Sequence, residues 1–182
     1  MYGMIHQAAR QMVHAVADEA TWSKILATSG LHEEHFISAQ TYDDEVTLTL
    51  IGAIQDVTGM PIEELLPAFG RYWIEFAAST SYGSVLEMAG NDLETLLENL
   101  DRMHTSIKST MPDAEMPSFY VSRVEGRDIY VEYRSSRSGL EAFVKGLLEG
   151  LLDRFGDTGE VSFVLRADHV EFAVKRELAE AA

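Results

Sequence analysis

His104 is the first residue whose type and surroundings could support chemistry. It lies on the apolar face of a predicted helix over about residues 92–111, near Met103 and Ile107. A neutral imidazole in apolar surroundings is a standard ligand for the iron of a haem. A lone histidine on an apolar helix face is more often an ordinary core residue, and spacing alone favours that simpler interpretation.

The run Tyr133-Arg-Ser-Ser-Arg137 is the second candidate, near the end of a predicted strand. If the strand continues, Tyr133, Ser135 and Arg137 point to one face, because strand side chains alternate. Two hydroxyls and a guanidinium on one face would suit a carboxylate or a phosphate, which arginine can bind through two parallel hydrogen bonds. For so short a pattern, a solvated edge strand is the simpler interpretation.

Other kinds of site find less support in the sequence. His32 and His35 are spaced to share a metal ion on a helix, but no third ligand is evident. There is no glycine-rich phosphate loop with an accompanying Lys-Ser/Thr, and no G-x-S-x-G nucleophile motif. The chain has 0 cysteines, which excludes disulfides, thiolate metal ligands and a cysteine nucleophile.

The composition limits the class of protein. A length of 182 residues fits one domain. The 30 acidic and 14 basic residues give a net charge of −16, which repels nucleic-acid backbones and predicts no nucleic-acid partner. The apolar runs are far shorter than the ~20 residues that span a bilayer, and the N-terminus lacks a signal-peptide core. We therefore expect a cytoplasmic protein with no membrane partner.

The first half of the chain is predicted to be helical, with apolar residues at helical spacing. The segment 41–57 is ambiguous, because its β-branched run could form a strand, but its length and caps favour a helix. Pro67 lies inside a later apolar stripe and predicts a kink or a late restart. The predicted helices cover about residues 2–18, 20–29, 41–57, 61–76 and 92–111.

The second half reads as strand, strand, helix, strand, strand. The order of helices first and hairpins afterwards is typical of an α+β fold with an antiparallel sheet. We predict one domain over 1–182, with a helical part over about 1–60 and a helix-plus-sheet part over about 61–182. The predicted strands cover 118–124, 128–135, 160–166 and 169–175, with a helix over about 138–155.

Taken together, motifs spread over nearly the whole chain resemble the H-NOX (haem-nitric oxide/oxygen-binding) family. The resemblance is to the sensor domain of the soluble guanylate cyclase beta subunit and its stand-alone bacterial relatives. Each motif is weak alone, but their order and intervals are specific, above all the Tyr-x-Ser-x-Arg placed 29 residues after the histidine. The motifs are Met1-Tyr-Gly-Met-Ile, Ala68-Phe-Gly-Arg-Tyr-Trp73, Ser81-Tyr-Gly, Glu98-Asn-Leu-Asp-Arg-Met-His104, Met116-Pro-Ser-Phe119, Tyr133-x-Ser135-x-Arg137 and Gly146-Leu-Leu-Glu-Gly150.

The resemblance implies an N-terminal helical subdomain packed on a C-terminal antiparallel sheet with helices, and a haem b (protohaem IX) between them. His104 would be the proximal iron ligand, and Pro117 would press against the porphyrin and distort it. The residues expected to bind the haem propionates are Tyr133, Ser135 and Arg137. The residues expected to line the distal face are Ile5, Phe143 and Leu147, with Trp73 nearby. Pro67 departs from the family pattern, which bears on the position of Trp73.

The resemblance also implies a ligand selectivity. Family members that bind O2 stably carry a distal tyrosine, whose hydroxyl can donate to the outer oxygen, on the helix after the Tyr-x-Ser-x-Arg motif. Phe143 aligns with that position and has no hydroxyl. The expectation is therefore NO and CO binding at ferrous haem, without stable O2 binding.

The implied function is a gas sensor and not an enzyme. NO bound opposite His104 would weaken the iron–histidine bond and release its helix, a switch that works if a partner distinguishes the two states. The implied partner is a histidine kinase or a cyclic-di-nucleotide enzyme. An O2-binding or redox haem sensor is the alternative, and a haem-free interaction domain is a further one. A haem peroxidase is disfavoured, because Ile5, Phe143 and Leu147 supply no distal acid or base.

Overall fold

The computed structural model describes residues 1–32, 36–80 and 82–177. This part of the chain contains seven helices and four strands, in an order that confirms the predicted α+β class. The helices are α1 (Gly3–Val16), α2 (Glu19–Ser29), α3 (Asp44–Thr58), α4 (Ile62–Ser79), α5 (Gly83–Ala89), α6 (Leu93–Thr110) and α7 (Glu141–Phe155). The strands are β1 (Ser118–Glu125), β2 (Asp128–Arg134), β3 (Gly159–Leu165) and β4 (Val170–Arg176).

The chain divides into two compact units. The N-terminal unit comprises Met1–Leu65 together with Met111–Glu115, and the C-terminal unit comprises Leu66–Thr110 together with Met116–Ala182. The chain therefore passes from one unit to the other three times. The subdomain boundary expected near residue 60 stays a prediction.

Local signals explain the helix ends in the N-terminal unit. Asp18 caps α2 by accepting a hydrogen bond of 2.9 Å from the Thr21 amide. Gly30 and Gly59 end α2 and α3 in the left-handed region, with φ of 67° and 71°, where glycine carries no steric cost.

A buried hydrogen bond joins α1 to α3. His6 is buried, and its Nε2 lies 2.8 Å from the Thr47 hydroxyl.

The ambiguous segment before Gly59 is helical, as its length and caps predict. Leu50, Ile51 and Ile54 are buried in α3 at helical spacing, and this burial outweighs the β-branched composition. Val16, in contrast, does not belong to the apolar face expected of α1. It is the last residue of that helix and is 81% exposed, whereas Val13, one turn earlier, is buried.

Pro67 does not interrupt its helix. α4 runs continuously from Ile62 to Ser79 with Pro67 inside it, so the late restart is wrong. Pro67 is near the start of the helix and deprives only the Glu63 carbonyl of its amide partner. Because Glu63 is exposed in the first turn, water can satisfy that carbonyl.

The sheet of the C-terminal unit is antiparallel throughout, with strand order β1-β2-β4-β3. Two hairpins are thus joined through β2 and β4, an order that the sequence did not predict. β2 ends at Arg134, one residue earlier than expected. The core of this unit gathers apolar side chains from α6, α7 and one face of the sheet, among them Leu93, Leu96, Leu97, Leu148, Ile129, Val131, Phe172 and Val174.

Helices α4 and α7 approach closely at glycines. A methyl group on Gly146 would lie 2.7 Å from the Pro67 Cα, and one on Gly70 would lie 2.7 Å from the Leu147 amide nitrogen. Both distances are too short for a real side chain. Glycine is therefore required at these two positions because the two backbones are in direct contact.

Two sequence motifs extend beyond what the structure describes. His35 and Ser81 lie outside the described residues, so the His32–His35 pair and the start of the Ser81-Tyr-Gly motif are not placed. Among the residues that are described, no helix is long and apolar enough to cross a membrane. Over the same residues, no three histidine or carboxylate side chains cluster as metal ligands would.

Candidate functional site

His104 lies in the second half of α6, half-buried in the C-terminal unit. Its Nδ1 is 3.0 Å from the carbonyl oxygen of Pro117. A carbonyl only accepts hydrogen bonds, so Nδ1 carries the proton and Nε2 keeps the lone pair. Burial lowers the pKa of His104 from its ordinary value, against the raising effects of the Pro117 carbonyl and the nearby Asp101. At neutral pH the ring is therefore a neutral imidazole with Nε2 as the available ligand atom.

Asp101 holds the helix turn that carries His104 against the start of β1. One carboxylate oxygen accepts a 2.7 Å hydrogen bond from the Phe119 amide, and the other accepts a 2.8 Å bond from the Ser118 hydroxyl. Asp101 and His104 are three residues apart on α6, and both bind the segment 117–119. Sequence reasoning missed this role of Asp101, although its position one turn before His104 was a usable signal.

Pro117 stands at the junction of these contacts. It precedes β1 and is half-buried, and its carbonyl holds the His104 ring. Its own ring is rigid, and its φ is fixed. The structure thus joins His104 and Pro117, which the sequence treated as separate candidates, by a direct hydrogen bond.

Tyr133, Ser135 and Arg137 are brought together, although not by a continuing strand. Tyr133 is buried in β2, and Ser135 and Arg137 follow in the loop before α7. The Arg137 amide donates a 3.0 Å hydrogen bond to the Ser135 hydroxyl. Burial raises the pKa of Tyr133, while a side-chain hydrogen bond with Ser135 and the charge of Arg137 act in the opposite direction. The phenol therefore stays protonated and able to donate.

An aromatic contact connects the histidine to this group of polar side chains. The Phe119 ring lies 5.8 Å from the His104 ring and 5.2 Å from the Tyr133 ring, measured between centroids. Phe119 is buried, and it pairs with Tyr133 across β1 and β2. His104, Pro117 and Tyr133 therefore belong to one packed neighbourhood.

The predicted distal residues are spread over three helices. Phe143 and Leu147 lie on α7 on either side of the contact with Gly70, and the Phe143 ring is 5.2 Å from that of Phe69. Trp73 lies on α4, with its ring stacked on Phe76 at 5.6 Å. Ile5 is half-buried on α1 and belongs to the N-terminal unit.

The side chains of the C-terminal unit fit a haem in chemical type. The neutral imidazole of His104 can ligate iron through Nε2, and Nδ1 already has the second partner that fixes a metal-bound histidine. A phenol, a hydroxyl and a guanidinium suit the two carboxylates of a haem. Phe143, Leu147 and Trp73 supply largely hydrocarbon surface of the kind that a porphyrin ring contacts.

Comparison with known proteins agrees with this chemistry. The model of the haem-NO-binding family matches residues 2–163. A soluble guanylate cyclase of Caenorhabditis elegans, gcy-35, is 34% identical over 162 residues, which are 87% of this chain and 23% of that protein. The chain thus spans about a quarter of the length of the curated relatives it matches.

Solved structures share the fold. The crystal structure of an H-NOX protein from S. oneidensis in the Fe(II)NO ligation state has a TM-score of 0.85 and 21% identity, covering 98% of this chain and 100% of the other. The solution structure of the H-NOX from Shewanella woodyi in the Fe(II)CO state has a TM-score of 0.82 and 24% identity, covering 100% and 97%.

Proposed function

Since the chain belongs to the haem-NO-binding (H-NOX) family of gas-sensing haem domains, we propose that it is a sensor of NO. In this proposal it binds NO and CO at a ferrous haem b (protohaem IX) and does not bind O2 stably. The observation that carries the proposal is His104, held neutral in a half-buried position with Nδ1 bonded to the Pro117 carbonyl.

Each side chain has a proposed role toward the cofactor. A bound haem would supply an iron that can bind a diatomic gas. His104 would hold the iron through Nε2, and the Pro117 ring would press on the porphyrin. Tyr133, Ser135 and Arg137 would hold the propionates, and the hydrogen bond from the Arg137 backbone amide to the Ser135 hydroxyl keeps these two residues close together.

The proposed selectivity rests on what the distal residues lack. Stable O2 binding needs a hydrogen-bond donor directed at the bound gas. Phe143 and Leu147 have none, and Phe143 packs on another phenylalanine, Phe69. Ile5 of the N-terminal unit is equally apolar and is proposed to pack on the haem. NO and CO depend less on such a donor, so they are the proposed ligands.

The proposed output is a change in α6. Asp101 and Nδ1 of His104 hold α6 to residues 117–119. In a haem-loaded protein, a bond from Nε2 to iron would restrain α6 further. Loss of that bond would remove one restraint on α6 and leave the contacts with residues 117–119. A partner that binds the two states differently would read the change. We propose a separate cytoplasmic signalling enzyme as that partner, a histidine kinase or a cyclic-di-nucleotide enzyme, and no catalysis by this domain.

The proposal is tested first by absorption spectroscopy of the reduced, haem-loaded protein with CO, NO and air in separate samples. We expect the ferrous spectrum to shift with CO and NO and to show no stable oxy form. A stable oxy spectrum would favour an O2 sensor instead. Failure to take up haem would leave a haem-free interaction domain.

The role of His104 is tested with His104→Gly supplied with free imidazole. Imidazole can occupy the iron position of the lost side chain without being connected to α6. We expect this variant to bind haem and gas but to leave a co-purified signalling partner unresponsive to NO. Normal signalling would contradict the role of His104 as the connection between iron and α6.

A further inference from the structure

We propose that β3 is a self-association edge, through which two copies of this chain pair antiparallel and join their sheets around Phe163. β3 is the last strand in the order β1-β2-β4-β3, so one of its sides pairs with β4. Among the residues that the structure describes, no strand pairs with its other side. The inference is independent of the haem.

The outer edge of β3 lacks the usual protection of an edge strand. Exposed edges in native proteins generally carry charges, prolines or bulges that prevent pairing. Between Glu160 and Arg166, β3 has five consecutive uncharged residues, Val161-Ser-Phe-Val-Leu165. Phe163, Val164 and Leu165 are 37%, 50% and 65% exposed, so apolar surface faces solvent on both sides of the strand.

The free backbone groups of this edge can be assigned. The Arg166 amide donates to the His169 carbonyl, and the Thr158 carbonyl accepts from Glu177, so even-numbered residues of β3 direct their backbone groups toward β4. Alternate residues of a strand direct these groups to opposite sides. Val161, Phe163 and Leu165 therefore direct their N–H and C=O groups outward.

A second copy satisfies these groups in one symmetric register. With Phe163 opposite Phe163 of the partner subunit, Val161 falls opposite the partner's Leu165, and each such pair exchanges two backbone hydrogen bonds. On the core face, the Phe163 ring already lies 5.4 Å from that of Phe172. Apolar side chains of the two copies would thus extend the buried face of the sheet across the new junction.

The charged residues that flank the apolar stretch of β3 favour the same register. Glu160 and Arg166 lie three residues on either side of Phe163, and the Arg166 guanidinium, which is 48% exposed, also pairs with Glu171 of the same chain at 2.6 Å. In an antiparallel pair centred on Phe163, Glu160 is opposite the partner's Arg166, and the symmetry repeats this contact. The two residues form a non-hydrogen-bonded pair, in which cross-strand side chains are closest. A second copy is therefore the occupant that matches both the apolar stretch and its flanking charges.

Sedimentation velocity with paired charge reversals tests the proposal. We expect a dimer that forms with rising concentration, because a strand junction alone is a small interface. Glu160→Lys and Arg166→Glu should each weaken association at least about tenfold, because each places like charges opposite one another. An equimolar mixture of the two variants should associate again, since both contacts then join opposite charges. Glu87→Lys, an exposed position on α5, is the matched control and should behave as the unmodified chain.

A second measurement locates the contact. Amide hydrogen exchange at Val161, Phe163 and Leu165 should slow as the dimer forms, while far-UV circular dichroism confirms that the variants are folded. The proposal is overturned if the unmodified chain stays monomeric up to about 1 mM. It is also overturned if the mixture associates no better than either variant, or if these amides do not slow. A monomeric result would favour a strand of another protein as the occupant of β3.

Discussion

At the scale of single residues, His104 is defined by which of its two nitrogens is engaged. Because Nδ1 is bonded to the Pro117 carbonyl, the ring cannot rotate freely, and Nε2 is the atom left for a metal. The same backbone carbonyl belongs to the residue proposed to press on the porphyrin. A displacement of Pro117 would therefore reach the His104 ring directly, through one hydrogen bond.

Phe143→Tyr is the residue-scale prediction. A tyrosine hydroxyl at this position would supply a hydrogen-bond donor where Phe143, Leu147 and Ile5 supply none. Ferrous O2 affinity should therefore rise by about tenfold or more, the effect of one added hydrogen bond to a charged acceptor. Gas titration of the reduced haem-loaded protein measures it. Phe143→Leu is the matched control, since it alters the packing against Phe69 without adding a donor. Equal behaviour of the two variants would show that Phe143 is not at the gas-binding position.

Only part of the candidate site could be predicted from residue types. Spacing gave no reason to prefer His104 as a ligand over a core histidine, and the preference came from the ordered set of motifs. The hydrogen bond from His104 to Pro117 and the role of Asp101 depend on how α6 packs on residues 117–119. No periodic pattern of residue types in the sequence predicts how α6 packs on this segment.

At the scale of elements, α6 depends on its N-terminal cap. Asp92 accepts hydrogen bonds from the Thr95 amide at 2.8 Å and from the Thr95 hydroxyl at 2.9 Å. These bonds satisfy one of the amides that a helix start leaves without a partner. They also favour the ionised carboxylate, which lowers the pKa of Asp92 below its ordinary value.

Asp92→Ala should destabilise the protein in a pH-dependent way. At pH 7 the loss of the cap should cost about 1 kcal/mol of unfolding free energy. The pKa of Asp92 is lower in the folded than in the unfolded protein. The contribution of the cap to stability is therefore complete above about pH 3.9, and it declines as the pH falls through the folded-state pKa of Asp92. Urea unfolding over this range measures the difference. Asp92→Asn keeps an acceptor oxygen but does not titrate, so a difference from Asp92→Ala that stays constant with pH would support the argument.

The α4–α7 contact predicts a second element-scale effect. Gly146→Ala would place a methyl group against Pro67 and force the helices apart, at a cost of about 1–3 kcal/mol of unfolding free energy. Gly52→Ala is the control, because Gly52 is inside α3 with no atom within 4 Å of an added methyl group. That change should stabilise the protein by about 0.4–1 kcal/mol. Thermal unfolding of both variants measures the two changes in stability. Equal changes would contradict the close approach of α4 and α7.

The elements themselves were predictable where local signals agreed with burial. α3 was recognised through its length and its closing Gly59, despite a β-branched run. The effect of Pro67 was overestimated, because its cost depends on whether the freed carbonyl is exposed, which is a tertiary property. The short helix α5 was missed. The strand order, with β4 between β2 and β3, could not be predicted either, because alternating residues show which face of a strand is buried and not which strand lies beside it.

At the scale of the whole molecule, the dominant property is a net charge of −16. Like charges spread over one surface repel, and this repulsion is relieved on unfolding. Ion pairs such as that between Arg123 and Glu125, at 2.7 Å, offset only a small part of it, because exposed pairs contribute little.

Added salt should therefore stabilise the fold at pH 7. Screening at 0.1 M salt shortens the reach of a charge to about 10 Å, so the unfolding free energy should rise with sodium chloride before levelling off. Urea titrations at several salt concentrations measure the change. Near the isoelectric point of about 4.6 the same salt should have little effect. A protein that is indifferent to salt at both pH values would show that repulsion does not limit its stability.

The three passages of the chain between its two units bear on how the molecule is made. The N-terminal unit needs Met111–Glu115 as well as Met1–Leu65, so a fragment that stops at Leu65 would lack part of its own structure. Synthesis proceeds from the N-terminus, and α6 with His104 has left the ribosome before Met111–Glu115 follows. The N-terminal unit, although its translation starts first, can thus be completed only after Leu66–Thr110 of the other unit has been made. A gene engineer who wished to exchange one unit between relatives would have to replace two separate stretches of coding sequence.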